Sequence, residues 1–121
     1  MKLTNREMDE YLYALNEIST KTKGKLAYAI AKNMRVMQNE LIEYYKIKDE
    51  ALRKYGTSGN DGTYQIRIDS EEFKSYVTEM KPFDDIESEV HLTMVSPEDI
   101  YELGLNGQET MQLLFMIEDK E

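Results

Sequence analysis

A chain of 121 residues and 14.2 kDa has room for one domain. Its 40% hydrophobic and 32% charged residues suit a modest core rather than a disordered chain. The absence of cysteine and the single histidine, His91, exclude disulfides, thiolate catalysis, cysteine-based zinc sites and any multi-histidine metal centre.

The opening Met1-Lys2-Leu3-Thr4-Asn5-Arg6-Glu7 turns polar at once, unlike a secretory signal, and no apolar run is long enough for a membrane span. Thr4 followed by Glu7 has the spacing of a capping box. Behind it Met8, Tyr11, Leu15 and Ile18, widened by Leu12, form a one-sided apolar stripe. The pattern predicts a helix from Asn5 to Ser19, ended by Thr20–Gly24, where glycine permits a sharp turn.

A second, longer helix is predicted from Lys25 to Tyr55. Ile30, Met34, Met37, Leu41, Tyr44, Lys48, Ala51 and Tyr55 alternate in steps of 4 and 3, the spacing of a heptad seam. No Pro or Gly interrupts the run, and Gly56 is placed to end it. The short link to the first helix predicts an antiparallel helical hairpin. The far half of this rod would outrun the first helix. It also carries Ile42, Tyr45, Ile47 and Leu52 off the seam, so either the rest of the chain or a second copy must cover it.

Gly56–Gly62 reads as a flexible connector rich in turn formers. Tyr64–Ile68 alternates as a half-buried strand should, and Val90–Val95 is its expected partner. Between them a short helix, Glu71–Met80, is expected to start at Asp69 or Ser70 and to be stopped by Pro82. Ser96-Pro97 opens a further short turn through Leu103. Asn106 with Glu109 suggests a last cap, with Met111, Leu114 and Phe115 lining a final helix, whereas Leu113–Ile117 alone reads equally well as a buried strand. The expected fold is therefore α+β, a single unit over 1–121. A helical hairpin (1–56) packs on an acidic module (57–121) with a small two-stranded antiparallel sheet and short helices.

The net charge of −9 is unevenly spread: residues 1–60 carry +3 and residues 61–121 carry −12. Asp84, Asp85, Glu87, Glu89, Glu98, Asp99 and Glu102 are the candidate acidic face for docking on a basic surface. Lys21, Lys23, Lys25, Lys32 and Arg35 form a candidate basic patch, the last three falling with Tyr28 on one helix face. Ile42, Tyr45, Ile47 and Leu52 are a candidate oligomer or partner interface. Known chemical motifs fit poorly. The Gly-rich connector lacks the Lys and Ser or Thr of a phosphate loop, and Asn60-Asp61-Gly62 is only a fragment of a calcium loop. His91 has no recognisable triad partners by spacing. The residues thus predict no catalytic, metal or cofactor site.

Met1–Asn5, the helical hairpin, Lys54-Tyr55-Gly56, Asp61-Gly62-Thr63-Tyr64, the Val90–Val95 segment and Phe115-Met116-Ile117-Glu118 together resemble an uncharacterised family of small phage and prophage proteins from Gram-positive bacteria. The resemblance implies a phage-encoded accessory protein in the host cytoplasm or on the virion, with no activity to transfer. The expected function is non-enzymatic binding of a host or phage protein. One form is inhibition of a nucleic-acid-binding or defence protein through the acidic half. The alternatives are a tail or assembly protein that oligomerises through the long helix, and a small nucleic-acid-binding module built on the Lys21–Arg35 face. No membrane contact is expected.

Overall fold

The computed structural model describes residues 1–118. It mixes helices with two small antiparallel sheets. A short strand β1 (Lys2–Thr4) leads directly into α1 (Asn5–Ile18). Their junction is the expected capping box: the Glu7 N–H donates to Thr4 Oγ1 at 3.1 Å, and Glu7 Oε1 accepts from the Thr4 N–H at 2.9 Å. Met8, Leu12, Leu15 and Ile18 are buried, as the stripe requires. A 3₁₀ turn, Ser19–Lys21, follows, and Gly24 reverses the chain with φ of +63°, a conformation that a side chain would strain.

The predicted single rod is interrupted. It is two helices, α2 (Gly24–Glu40) and α3 (Ile42–Tyr55), meeting at Leu41, whose φ and ψ of −89° and 2° leave the helical range. The hydrogen-bond ladder continues on both sides, from the Leu41 N–H to Met37 O at 3.0 Å and from the Tyr45 N–H to Leu41 O at 2.8 Å. No Pro or Gly causes the break. Its cause is tertiary: α2 packs on α1, α3 packs along α4 (Glu71–Asp84), and the Leu41 side chain is fully buried between these commitments. The seam itself is sound, since Ile30, Met37, Leu41, Tyr44 and Ala51 are all buried. The far half of the run is covered by the C-terminal half of the same chain, through α4.

The strands differ from expectation. Tyr64–Ile68 forms only the two-residue β3 (Tyr64–Gln65), which pairs with β2 (Thr57–Ser58) inside the supposed connector. Val90–Val95 does not pair with it. The acidic stretch of the candidate docking face supplies β4 (Glu87–Glu89) instead, antiparallel to β1 with Leu3 opposite Ser88. This pairing sets Lys2 across from Glu89, and opposite charges on facing strands attract. Of Val90–Val95, only Val95 forms a bridge, parallel to Ile117.

Pro82 does not stop α4, which runs on to Asp84. A proline two residues from a helix end removes only one late hydrogen bond. The last turn is held from outside: Phe83 O accepts from Asn5 Nδ2 at 2.8 Å, and the Asn5 N–H donates to Ile86 O at 3.0 Å. Beyond β4 come α5 (Glu98–Tyr101) and α6 (Gly107–Leu113), the latter opened by the expected Asn106–Glu109 capping box, then a 3₁₀ turn over Leu114–Met116. The tail is therefore helical through Met116, and only Ile117 makes a bridge, to Val95. Leu113 and Met116 face the core, while Met111 and Leu114 are exposed. Phe115 is half-buried and stacks on Tyr11 of α1, with ring centroids 3.9 Å apart and planes 5° from parallel.

Gly56 ends α3 with extended backbone, and its lack of a side chain matters for space. A Cβ there would lie 2.6 Å from Leu52 O and 3.0 Å from Gln65 O, both rigid backbone atoms. Gly56→Ala should therefore destabilise the fold by about 1–3 kcal/mol, the range for overpacking. Urea denaturation of the variant against the parent measures it.

Candidate functional site

An open groove of about 610 Å³ lies between the first turns of α2 and the Thr93–Ser96 segment, with Lys25, Tyr28, Ala29, Met94, Val95 and Asp99 among its walls. A neighbouring depression of about 300 Å³ continues it along α2 past Ala31, Lys32, Arg35 and Val36, sharing Tyr28. The steps of 3, 4 and 3 set Lys25, Tyr28, Lys32 and Arg35 on one helical face around an exposed aromatic ring, while Asp99 and Glu118 share the larger groove with Lys25. Tyr28 is 66% exposed, and Lys32 Nζ sits 5.5 Å from its ring centre, in cation–π range.

The opposite wall is held by one residue that the sequence reading did not single out. Asn33, fully buried on α2, bonds Thr93 through both ends of its amide: Nδ2 donates to Thr93 O at 2.9 Å, and Oδ1 accepts from the Thr93 N–H at 2.6 Å; Nδ2 also donates to Met116 Sδ at 3.6 Å. Two residues on, the Val95 N–H donates to Met116 O at 2.9 Å, and Val95 O accepts from the Glu118 N–H at 2.7 Å. The segment is thereby tied between a helix and the C-terminal turn without belonging to a regular sheet. An Asn amid apolar neighbours on a helix is the sequence signal for such a clamp, because a buried amide must find partners.

Lys25, Lys32 and Arg35 have no carboxylate partner among the described residues, whereas every cation of α3 has one. Lys46 pairs with Glu43, Lys48 with Asp9, Arg53 with Asp49 and Lys54 with Glu79. Of the rest of the predicted patch, Lys21 pairs with Glu109 and Lys23 stands exposed at the turn before α2.

The predicted acidic face is not a uniform free surface. Asp84 accepts from the Tyr44 hydroxyl at 2.6 Å and meets Arg6 at 3.4 Å, and Asp85 lies 3.6 Å from the same guanidinium. Glu89 is 2.8 Å from the Met1 amine, which holds its carboxyl below the ordinary value. Asp99 accepts from the Ser96 N–H and hydroxyl, an intra-loop cap. Glu98 is exposed. Glu87, on β4, and Glu102 are exposed carboxylates with no ion pair among the described residues. The predicted oligomer face is also partly covered: Ile42 is open, but Tyr45, Ile47 and Leu52 are half-buried. His91 is exposed next to the buried Val90, while Met94 points partly outward instead of in line with Val90.

A second polar cluster joins α1, α3 and α4. The Tyr45 hydroxyl donates to Asp9 Oδ1 at 2.7 Å, and Lys48 Nζ sits 3.1 Å from Asp9 Oδ2. Burial, then the hydrogen bonds to Asp84 and Asp9, push the Tyr44 and Tyr45 phenols well above their ordinary value. Each hydroxyl is committed to a carboxylate inside the fold, so the cluster is structural. Among the described residues no group of three or more His, Asp or Glu is arranged to hold a metal ion, and no helix is long and apolar enough to cross a membrane. Comparison with family models, characterised proteins and solved structures finds no significant match.

Two predictions follow from these contacts. Asn33→Ala strands the partly buried peptide groups of Thr93 and should cost about 1–3 kcal/mol, while Asn33→Asp, which sets a buried carboxylate against the Thr93 carbonyl oxygen, should cost at least as much at neutral pH in a denaturation series. For the tyrosines, the unfolded chain releases phenolic protons near pH 10 while the folded chain retains them. Stability is therefore full below about pH 10 and lost as pH climbs through the raised values. Joint Tyr44→Phe and Tyr45→Phe substitution should make that alkaline loss shallower, as read from denaturation midpoints at about pH 8 and about pH 11.

Proposed function

We propose that the chain is a non-enzymatic, phage-encoded accessory protein that acts by binding another protein, and that it does so at the groove around Tyr28. The observation that carries this reading is the trio of cations on α2 that have no carboxylate partner among the described residues. In a chain of net charge −9, with acids available to every cation of α3, the groove keeps Lys25, Lys32 and Arg35 uncommitted beside an exposed tyrosine. Tyr and Arg are over-represented at protein interfaces because each offers large contact area with a polar end. The rigid far wall, fixed by Asn33, supports the same reading, since a preformed groove loses little entropy on binding.

The acidic second half is the less favoured contact face. Arg6 and the Met1 amine already sit against Asp84, Asp85 and Glu89, and Asp99 is occupied by Ser96. That leaves Glu87 and Glu102 as the acids to test there. The phage context rests on the sequence resemblance alone.

Affinity capture from bacterial host lysate with a tagged chain tests the reading. The combined Tyr28→Ala, Lys32→Glu and Arg35→Glu variant should lose a protein that the parent retains, while Glu87→Lys with Glu102→Lys should keep it. The reverse pattern would move the binding face to the acidic half.

A further inference from the structure

We infer that the depression on the outer face of α2 is a socket for an acidic α-helix of a protein partner. An apolar knob of that helix enters between Tyr28, Ala31, Lys32 and Arg35, and carboxylates beside the knob meet Lys32 and Arg35. The inference rests on the binding face proposed around Tyr28 and adds the form and chemistry of its occupant.

The spacing sets the form. When two helices pack side by side, a knob from one seats among four residues of the other. At about 3.6 residues per turn, the four that enclose one such space stand at i, i+3, i+4 and i+7. Tyr28, Ala31, Lys32 and Arg35 have this spacing, and with Val36 they line the depression of about 300 Å³. Ala31, the smallest side chain of the four, leaves the space between the longer ones open. The core side of α2 carries Leu26, Ala29, Ile30, Asn33 and Met37. Successive helical residues turn by about 100°, so the four fall on the opposite, outward side, and all of them are exposed. Tyr28, 66% exposed, puts a large ring at one end of the space, where a seated side chain gains apolar contact.

Charge sets the sign. Lys32 and Arg35 have no carboxylate partner among the described residues, and no residue lining the depression is acidic. Within α2 the one acid is Glu40, at its last position. The larger groove differs, because Asp99 and Glu118 stand there with Lys25 and leave it no excess of positive charge. A helix that carries Glu or Asp on either side of its apolar seam supplies what the outer face of α2 withholds. A second copy that met this face with its own would set Lys32 and Arg35 against like charges. A nucleic acid would use the same cations, but it would meet the repulsion of a net charge of −9.

The test titrates the whole chain with a synthetic peptide of the length of α2, with Leu at heptad positions a and d and Glu at e and g. The comparisons are the same peptide with Lys in place of Glu, one with central prolines that forbid a helix, and a single-stranded oligonucleotide of matched charge. The acidic peptide should gain helical circular dichroism on binding and should shift the NMR signals of Tyr28, Ala31, Lys32 and Arg35 selectively. Ala31→Phe fills the socket and leaves both cations; Lys32→Glu with Arg35→Glu reverses the charge and leaves the socket. Each variant should bind the peptide about tenfold or more weakly, while keeping the parent's denaturation midpoint because these positions are exposed. Undiminished binding by Ala31→Phe would overturn the socket, and equal binding of the proline peptide would overturn a helical ligand. Equal binding of the Lys peptide would overturn its acidic character, and tighter binding of the oligonucleotide would overturn a protein ligand. A dimer in light scattering that the same variants abolish would assign the face to a second copy instead. Absence of any peptide binding, alongside a partner still lost by the groove variant in lysate capture, would overturn this inference while leaving the binding face in place.

Discussion

The placement of the Thr93–Val95 segment depends on one buried amide. Asn33 is inaccessible to solvent, and burying an amide is costly unless both its ends are bonded. Thr93 satisfies both, so the two residues define each other's position across 60 positions of sequence. Asn5 does a similar job at the other end of the helical half, donating to Phe83 O and so holding the last turn of α4. Between them these two asparagines pin the C-terminal half to the N-terminal helices at both ends. Hydrophobic burial supplies the driving force. The amides choose the register, because an apolar contact tolerates sliding and a bonded amide does not.

The charge asymmetry belongs to the same junction. The first half is mildly basic and the second strongly acidic, and the contact between them is laced with opposite charges: Arg6 with Asp84 and Asp85, Lys21 with Glu109, Lys54 with Glu79. In each of these pairs the cation is exposed to water, which screens the attraction, so each adds little. They do not hold the halves together by strength. They discourage alternative dockings that would bring the acids of one half against acids of the other. Part of what reads in the sequence as a surface for a foreign partner is thus occupied by the chain itself.

Local signals proved legible wherever short-range physics decided the outcome. Both capping boxes, the stripe of α1, the reversal at Gly24 and the buried seam through Ile30, Met37, Leu41, Tyr44 and Ala51 are dictated by neighbours within a turn or two. Apart from the local pairing of Thr57–Ser58 with Tyr64–Gln65, the misreadings involve distant partners. The break at Leu41 has no local cause and arises because α2 and α3 pack on different neighbours. Pro82 lies inside α4 because Asn5, far away in sequence, supports the turn beyond it. The Glu87–Glu89 strand exists because Lys2–Thr4 lies alongside to pair with it, and alternation in an acidic triplet carries no trace of that. Val90–Val95 alternates well yet finds a helix amide and a C-terminal turn where a strand was expected.

The candidate groove, by contrast, had a signal in the sequence that charge counting concealed. On a helix, residues three or four apart are neighbours, and carboxylates at those distances neutralise a cation locally. Lys46 has Glu43 and Glu50 at such spacings, and Arg53 has Asp49 and Glu50. Lys25 has Lys21, Thr22, Tyr28 and Ala29; Lys32 has Tyr28, Ala29, Arg35 and Val36; Arg35 has Ala31, Lys32, Gln38 and Asn39. In a chain with 24 acids, α2 places none within one helical turn of any of the three. Among the described residues tertiary structure does not repair the omission, although it does so for Lys48, which finds Asp9 on another helix. Among the described residues the cations on α2 are therefore left without a carboxylate at both levels, local and tertiary, on the helix whose Asn33 fixes the Thr93–Val95 segment. A patch that merely solubilises the chain would need no such wall, and the coincidence of free charge with a fixed groove is what separates this face from the rest of the surface.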